Sequence, residues 1–211
     1  MYLRVVAPST ILLVALSACS GTEATVSVDD VRQTATAAGA TPDACPLDYD
    51  VDAALEAAGV EATAVLDAAG ASVSEIATPP ADPVEAQIDD GLSPIEVAAG
   101  ADLSCSYEVG DGDLYVELAT SINDQFEAVS LFGARLQQAD GGLSVEQLSD
   151  IVDALGEPGR TESVPNGTAT VTTLHTADDA GTAALWVESD TVTDDELRTV
   201  AEHLVDDLGQ S

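Results

Sequence analysis

Residues 101–120 read ADLSCSYEVGDGDLYVELAT, and the rest of the chain is arranged around them. Leu103, Cys105, Tyr107 and Val109 recur at every second position, and Leu114, Val116 and Leu118 do so after Gly110-Asp111-Gly112. Apolar alternation on both sides of a glycine-bearing turn predicts an antiparallel hairpin with one buried face. Cys105 falls on that face. Asp111-Gly112-Asp113 reads as turn chemistry rather than a calcium loop, because no D-x-[DN]-x-[DN]-G-x₅-E run is present.

Working outward toward the C-terminus, Ile122, Phe126, Val129, Gly133 and Leu136 follow a helical period. Phe126 and Phe132 both fall there and read as core. Ser144-Val145-Glu146-Gln147 has capping-box spacing, and Leu148, Ile151, Val152 and Leu155 form an apolar helical face ended by Gly156. A loop is expected over 156–167. TATVTTLHT and TAALWVES then alternate around Asp178-Asp179-Ala180-Gly181 as a second hairpin. Leu174 and Trp186 take the parity opposite to its other apolar residues, which predicts central strands covered on both faces. Thr193-x-x-Glu196 opens a last helix striped by Leu197, Val200, Ala201, Leu204 and Leu208.

Toward the N-terminus, Asp50 or Asp48 can cap a short helix with Val51, Ala54, Leu55 and Ala58 on one face and Gly59 at its end. The alanine-rich run 60–70 reads as a second helical piece, Thr78 to Pro83 as a break, and PIEVAA (94–99) as an edge strand. Residues 20–43 are small and polar, and read as a flexible tether in which a helix over 28–38 is the minor alternative.

The chain opens with MYLRVVAPSTILLVALSACSG. One positive charge, Arg4, precedes an apolar run, Ile11 to Leu16, that is too short for a membrane span and fits the h-region of an export signal. Leu16-Ser17-Ala18-Cys19 resembles the lipobox of bacterial lipoproteins. It implies cleavage after residue 18 and acyl chains on Cys19; an ordinary secretory signal or a retained anchor is the alternative. The organisation expected is a signal over 1–18, a lipidated tether over 19–43 and one domain over 44–211.

Five basic residues against 39 acids give a formal net charge of −34. Such a surface repels phosphate backbones and anionic lipid, which excludes backbone-tracking nucleic-acid binding. Adaptation to external salt or a plain acidic bias explains the charge.

The elements predict an α+β fold, an antiparallel sheet built from two hairpins with helices packed on one face. Both halves, 44–140 and 141–211, run helix, strand, strand, helix, which suggests a pseudo-duplicated unit. Cys45 and Cys105 form an even pair in an exported domain, so a disulfide is expected. A thiol nucleophile or metal site lacks companions: there is no CxxC, and His175 and His203 are the only histidines. No G-x-S-x-G elbow is present. Aromatics make up only 3% of the chain, so Trp186 and Tyr107 read as core rather than as a sugar platform. Glu188, the acid nearest Trp186, is assigned to the other face of its strand. No cofactor is expected.

Asp43-Ala44-Cys45-Pro46-Leu47, Ala57-Ala58-Gly59 and Cys105-Ser106-Tyr107, behind a lipobox, resemble actinobacterial cell-envelope lipoproteins classed as a domain of unknown function. The resemblance covers about residues 43–120. It implies the disulfide and a non-enzymatic role, and it transfers no catalytic residue. The function expected is a non-catalytic binding or structural module, anchored by acyl chains on the extracytoplasmic face of the membrane, with an envelope protein or small ligand as partner. A carboxylate-dependent envelope hydrolase and a cation-binding module are the alternatives.

Overall fold

The computed structural model describes residues 25–123, 128–138, 142–177 and 180–209. Residues 1–18, read above as an export signal, together with Cys19, Phe126 and Asp178-Asp179, lie outside the described residues. The expected central hairpin is present: β3 (Gly100–Val109) pairs antiparallel with β4 (Gly112–Ser121), placing Cys105 opposite Val116 and Val109 opposite Gly112. That register leaves Gly110-Asp111 as a two-residue loop, and Gly110 has φ 64°, a value that such tight loops require and glycine adopts freely. The second hairpin, β6 (Ala169–Thr176) and β7 (Thr182–Ser189), joins the first through antiparallel β4–β7 pairing, with Leu118 opposite Leu185.

Three further strands complete a seven-stranded sheet. β2 (Ala64–Val73) lies antiparallel on the outer side of β3, with a bulge between Leu66 and Ala68. β5 (Thr161–Ser163) pairs antiparallel with β6, and β1 (Thr25–Val26) pairs parallel with its far end. The sheet is therefore mixed rather than wholly antiparallel. Its order, β1-β6-β7-β4-β3-β2, puts β4 and β7 at the centre.

Alternation along the central strands divides the apolar residues between two clusters. Leu114, Val116, Leu118, Leu185 and Val187 join Leu103, Cys105 and Tyr107 on the first face. There they meet α1 (Val28–Ala38), α2 (Val51–Ala57) and α7 (Asp194–Leu208) through Val31, Ala35, Leu55, Leu197, Val200 and Leu204. Each such Val or Leu taken from water contributes about 1.5–3 kcal/mol before entropy is counted. The second face holds a smaller cluster. Ala119, Ala184 and Trp186 pack there against Phe132 of the 3₁₀ turn Ala128–Phe132, Leu136 of α5 (Gly133–Gln138), and Ile151 and Leu155 of α6 (Val145–Ala154). Both faces of β4 and β7 are thus covered, as the parity of Trp186 predicts.

Several expectations are corrected. The stretch read as a tether folds into the domain from Thr25 onward: Val26, Val28, Val31 and Ala35 are buried, and Ser27 caps α1 by accepting from Asp30 N at 3.2 Å. Arg32 pins α1 down by donating to the carbonyls of Ala99 (2.6 Å), Gly100 (3.0 Å) and Ser74 (3.3 Å). Most of the alanine-rich run expected as helix is strand β2, because pairing with β3 outweighs the local helical preference of alanine. Residues read as an edge strand form α4 (Pro94–Val97), whose Ser93 and Glu96 make a full capping box with Pro94 in the first turn. β5 lies inside the expected loop. α3 (Pro83–Asp89) was not anticipated.

The strand order of the two halves does repeat. Their helices do not follow it: α2 joins the first-face cluster while α6 joins the second. A duplicated unit related by a two-fold axis through the β4–β7 pair would place both on one face. Asp50 caps α2 (Ala53 N to Oδ1, 2.9 Å) and Ser144 with Gln147 makes the predicted box at α6. Thr193 occupies the N-cap of α7 but makes no side-chain capping bond.

Candidate functional site

On the second face, the polar side chains of β4 and β7 converge under α5. Tyr115 and Glu117 share a parity on β4 opposite to that of Leu114, Val116 and Leu118. The sheet register sets Glu117 opposite Trp186 and Tyr115 opposite Glu188. Arg135, carried by α5, reaches Tyr115, Glu117 and Glu188. Its guanidinium carbon stands 4.4 Å from the Tyr115 ring centroid, and Nη2 donates to Tyr115 Oη at 2.8 Å. Nη2 also pairs with Glu117 Oε2 at 2.9 Å, and Nη1 lies 3.8 Å from Glu188 Oε2. Tyr115 donates its hydroxyl to Glu117 Oε2 at 2.8 Å, which closes a triangle of tyrosine, glutamate and arginine.

Beside the triangle, Trp186 Nε1 donates to Glu188 Oε2 at 3.0 Å, and the Trp186 ring packs against Phe132 at 5.6 Å between centroids. This overturns the assignment of Glu188 to the opposite face: residues i and i+2 of a strand share one face. The acid next to the tryptophan is therefore held by it. Further out on β3, Asp102 accepts a hydrogen bond from Ser72 Oγ of β2.

Burial sets the electrostatics. It pushes the Glu117 carboxyl above its ordinary 4.5, against the opposing pull of Arg135 and the Tyr115 hydroxyl. Asp102 is raised from 3.8 for the same reason, with Ser72 opposing. Tyr115 is raised by burial and by the neighbouring Glu117. The Glu117 side chain is only 15% exposed, whereas Arg135 and Glu188 form an open rim at 40% and 46%. Chemically the arrangement is a brace: Glu117 Oε2 and the Tyr115 hydroxyl are bonded to each other and to Arg135, the Trp186 indole N–H is bonded to Glu188, and the Arg135–Glu188 rim is the more exposed part.

The predicted site residues fall elsewhere. Cys45 and Cys105 are joined by a disulfide, with Cα atoms 5.6 Å apart across a sequence separation of 60. Cys105 is buried on the first face, so the bond ties the segment before α2 to the central hairpin. Tyr107 is buried two residues further along that face, and Trp186 is buried on the other, so they line no common cleft. Near Tyr107, the Tyr49 hydroxyl is enclosed without a hydrogen-bond partner, and its pKa is driven up by burial. His175 stands opposite Thr25 at the β1–β6 pairing, and His203 lies on α7. Among the described residues no group of three or more His, Cys, Asp or Glu side chains is placed to hold a metal ion.

The described arginines are all engaged: Arg32 and Arg198 on backbone carbonyls, Arg160 on Glu157, and Arg135 in the brace. A shallow groove beside α1, lined by Asp29, Arg32, Gln33 and Thr36, therefore offers a cation that is already committed to main-chain oxygens. The brace itself was not foreseen in the sequence. Its signal is the shared parity of Tyr115 and Glu117 on the polar side of an otherwise regular hairpin. No family model, curated protein or solved structure matches the chain. No helix of the described residues is long and apolar enough to cross a membrane.

Proposed function

We propose that the protein is a lipid-anchored, extracytoplasmic, non-catalytic module of the cell envelope, which binds or braces another envelope component. The observation that carries this reading is the Cys45–Cys105 disulfide, a bond that persists in oxidising compartments and is rare in reducing ones. It agrees with the export signal and the lipobox-like Leu16-Ser17-Ala18-Cys19. The resemblance to actinobacterial envelope lipoproteins adds the same direction. Support for a non-catalytic role comes from the brace, where Glu117, one of two part-buried carboxyls whose pKa burial raises, is tied to Tyr115 and Arg135, while the other, Asp102, is bonded to Ser72.

A lipidated Cys19 would place the folded domain close to its membrane. Thr25 is already paired with β6, six positions beyond Cys19 in the sequence, and an extended chain of that length reaches about 20 Å. Affinity capture of the membrane-extracted protein, with mass spectrometry of what co-purifies, tests the binding role. A specific envelope component is expected. Turnover of a cell-wall glycan or peptide by the purified protein, abolished by Glu117→Gln or Glu188→Gln in a folded variant, would replace this reading with a hydrolase.

A further inference from the structure

The sheet has one long open margin. β2 ends the strand order beyond β3, and no strand among the described residues pairs with its outer side. A terminal strand carries a row of main-chain N–H and C=O groups that a further strand can take up. The opposite margin, on β6, is closed by β5 and β1. We propose that the outer edge of β2 docks an extended, lysine- or arginine-bearing segment of a partner polypeptide, added to the sheet as a further strand. This rests on the reading of the domain as a binding module and names its partner's chemistry.

Three features of β2 fit it for this. Past the bulge, the run Ala68-Ala69-Gly70-Ala71-Ser72-Val73 contains neither proline nor lysine, the residues that commonly blunt an edge. Its side chains are small, which lets a second backbone approach. The apolar Val65 is 58% exposed at the start of the strand and offers a contact for an alternating apolar side chain.

Charge selects the occupant. Glu61, Asp67 and Glu75 are exposed before, within and after the strand, Asp67 standing at the bulge itself. Of the described arginines, Arg32 alone comes near this strand, at its far end, where it is held by the carbonyls of Ser74, Ala99 and Gly100; the other three are engaged away from it, and the chain carries a formal charge of −34. A second copy brought edge to edge would set the same acids against each other, whereas a cationic strand meets complementary charge on both flanks.

The test uses the full chain in detergent and three synthetic peptides: one alternating lysine with valine, its counterpart with glutamate in place of lysine, and the lysine peptide N-methylated at every second residue. Hydrogen exchange of residues 64–73 and binding titrations at low and molar salt are read together. The lysine peptide should slow exchange across β2, lose binding on N-methylation, and bind about tenfold more weakly to Asp67→Lys. The glutamate peptide should not bind. Equal binding of the N-methylated peptide, protection elsewhere with none on β2, no binding at all, or self-association that protects β2 would each overturn the proposal. Failure here leaves the tethered-module reading standing, since that reading is judged by co-purification and by turnover.

Discussion

Arg135 places its guanidinium carbon over Tyr115, 4.4 Å from the ring centroid, while donating to that ring's own hydroxyl at 2.8 Å. The same nitrogen holds Glu117, so one arginine from α5 both covers and neutralises a carboxyl on the second face of the sheet. Burial nevertheless wins, and Glu117 is raised above its ordinary pKa.

The pH dependence follows from that sign. An acid whose folded pKa is raised favours the folded state when protonated. Its contribution is complete below the ordinary value of 4.5 for Glu117, and 3.8 for Asp102, and is lost as pH rises through the raised folded values. The melting midpoint should therefore climb as pH is lowered from neutral toward that window. Glu117→Gln should flatten part of the climb. A midpoint that drops over the same range, or a variant with an unchanged slope, contradicts the assignment.

Loss of the disulfide should be costly without being selective for any reaction. Cys105→Ala opens a closed loop of 60-residue separation, for which chain entropy gives up to about 4 kcal/mol. Denaturant titration should show a loss of about 2–4 kcal/mol, with the remaining cysteine a free thiol. A variant as stable as the parent would mean that the bond adds nothing to the fold.

Tyr49→Phe should be neutral or stabilising by up to about 1 kcal/mol, because it removes an enclosed hydroxyl that has no partner and keeps the ring. Thermal melting decides this. A clear destabilisation would show that the hydroxyl is satisfied in solution.

Salt should raise stability. With a formal charge of −34 the folded chain repels itself, and counterions relieve that repulsion. A melting midpoint that stays flat or falls between low and molar sodium chloride would count against it.

Where one apolar face repeats at a fixed period, the sequence is readable. The alternation through Leu103 to Leu118 fixes the central hairpin, and Ser144 with Gln147 fixes the start of α6. β2 was legible only in its partner: AVLDAAGASV has no alternation of its own and takes its conformation from the register with β3. Ser93-Pro94-Ile95-Glu96 did carry a capping box, a signal for α4 that the reading as a strand overlooked. α1 was visible in Val28, Val31 and Ala35, three residues of one narrow face, which the surrounding alanines and threonines obscured. The brace was not legible, because the reach of Arg135 depends on where α5 settles, a tertiary fact. Glu188 could have been placed by parity alone, since it stands two residues from Trp186.

The central claim is an exported, lipid-anchored, cross-linked domain. Intact-mass measurement of membrane-extracted protein, before and after reduction, tests it most directly. The expected result is a chain beginning at Cys19 with acyl mass attached, gaining one pair of hydrogens on reduction as Cys45 and Cys105 are released. A soluble chain with an unmodified Cys19 thiol, or one whose mass is unchanged by reduction, would contradict it.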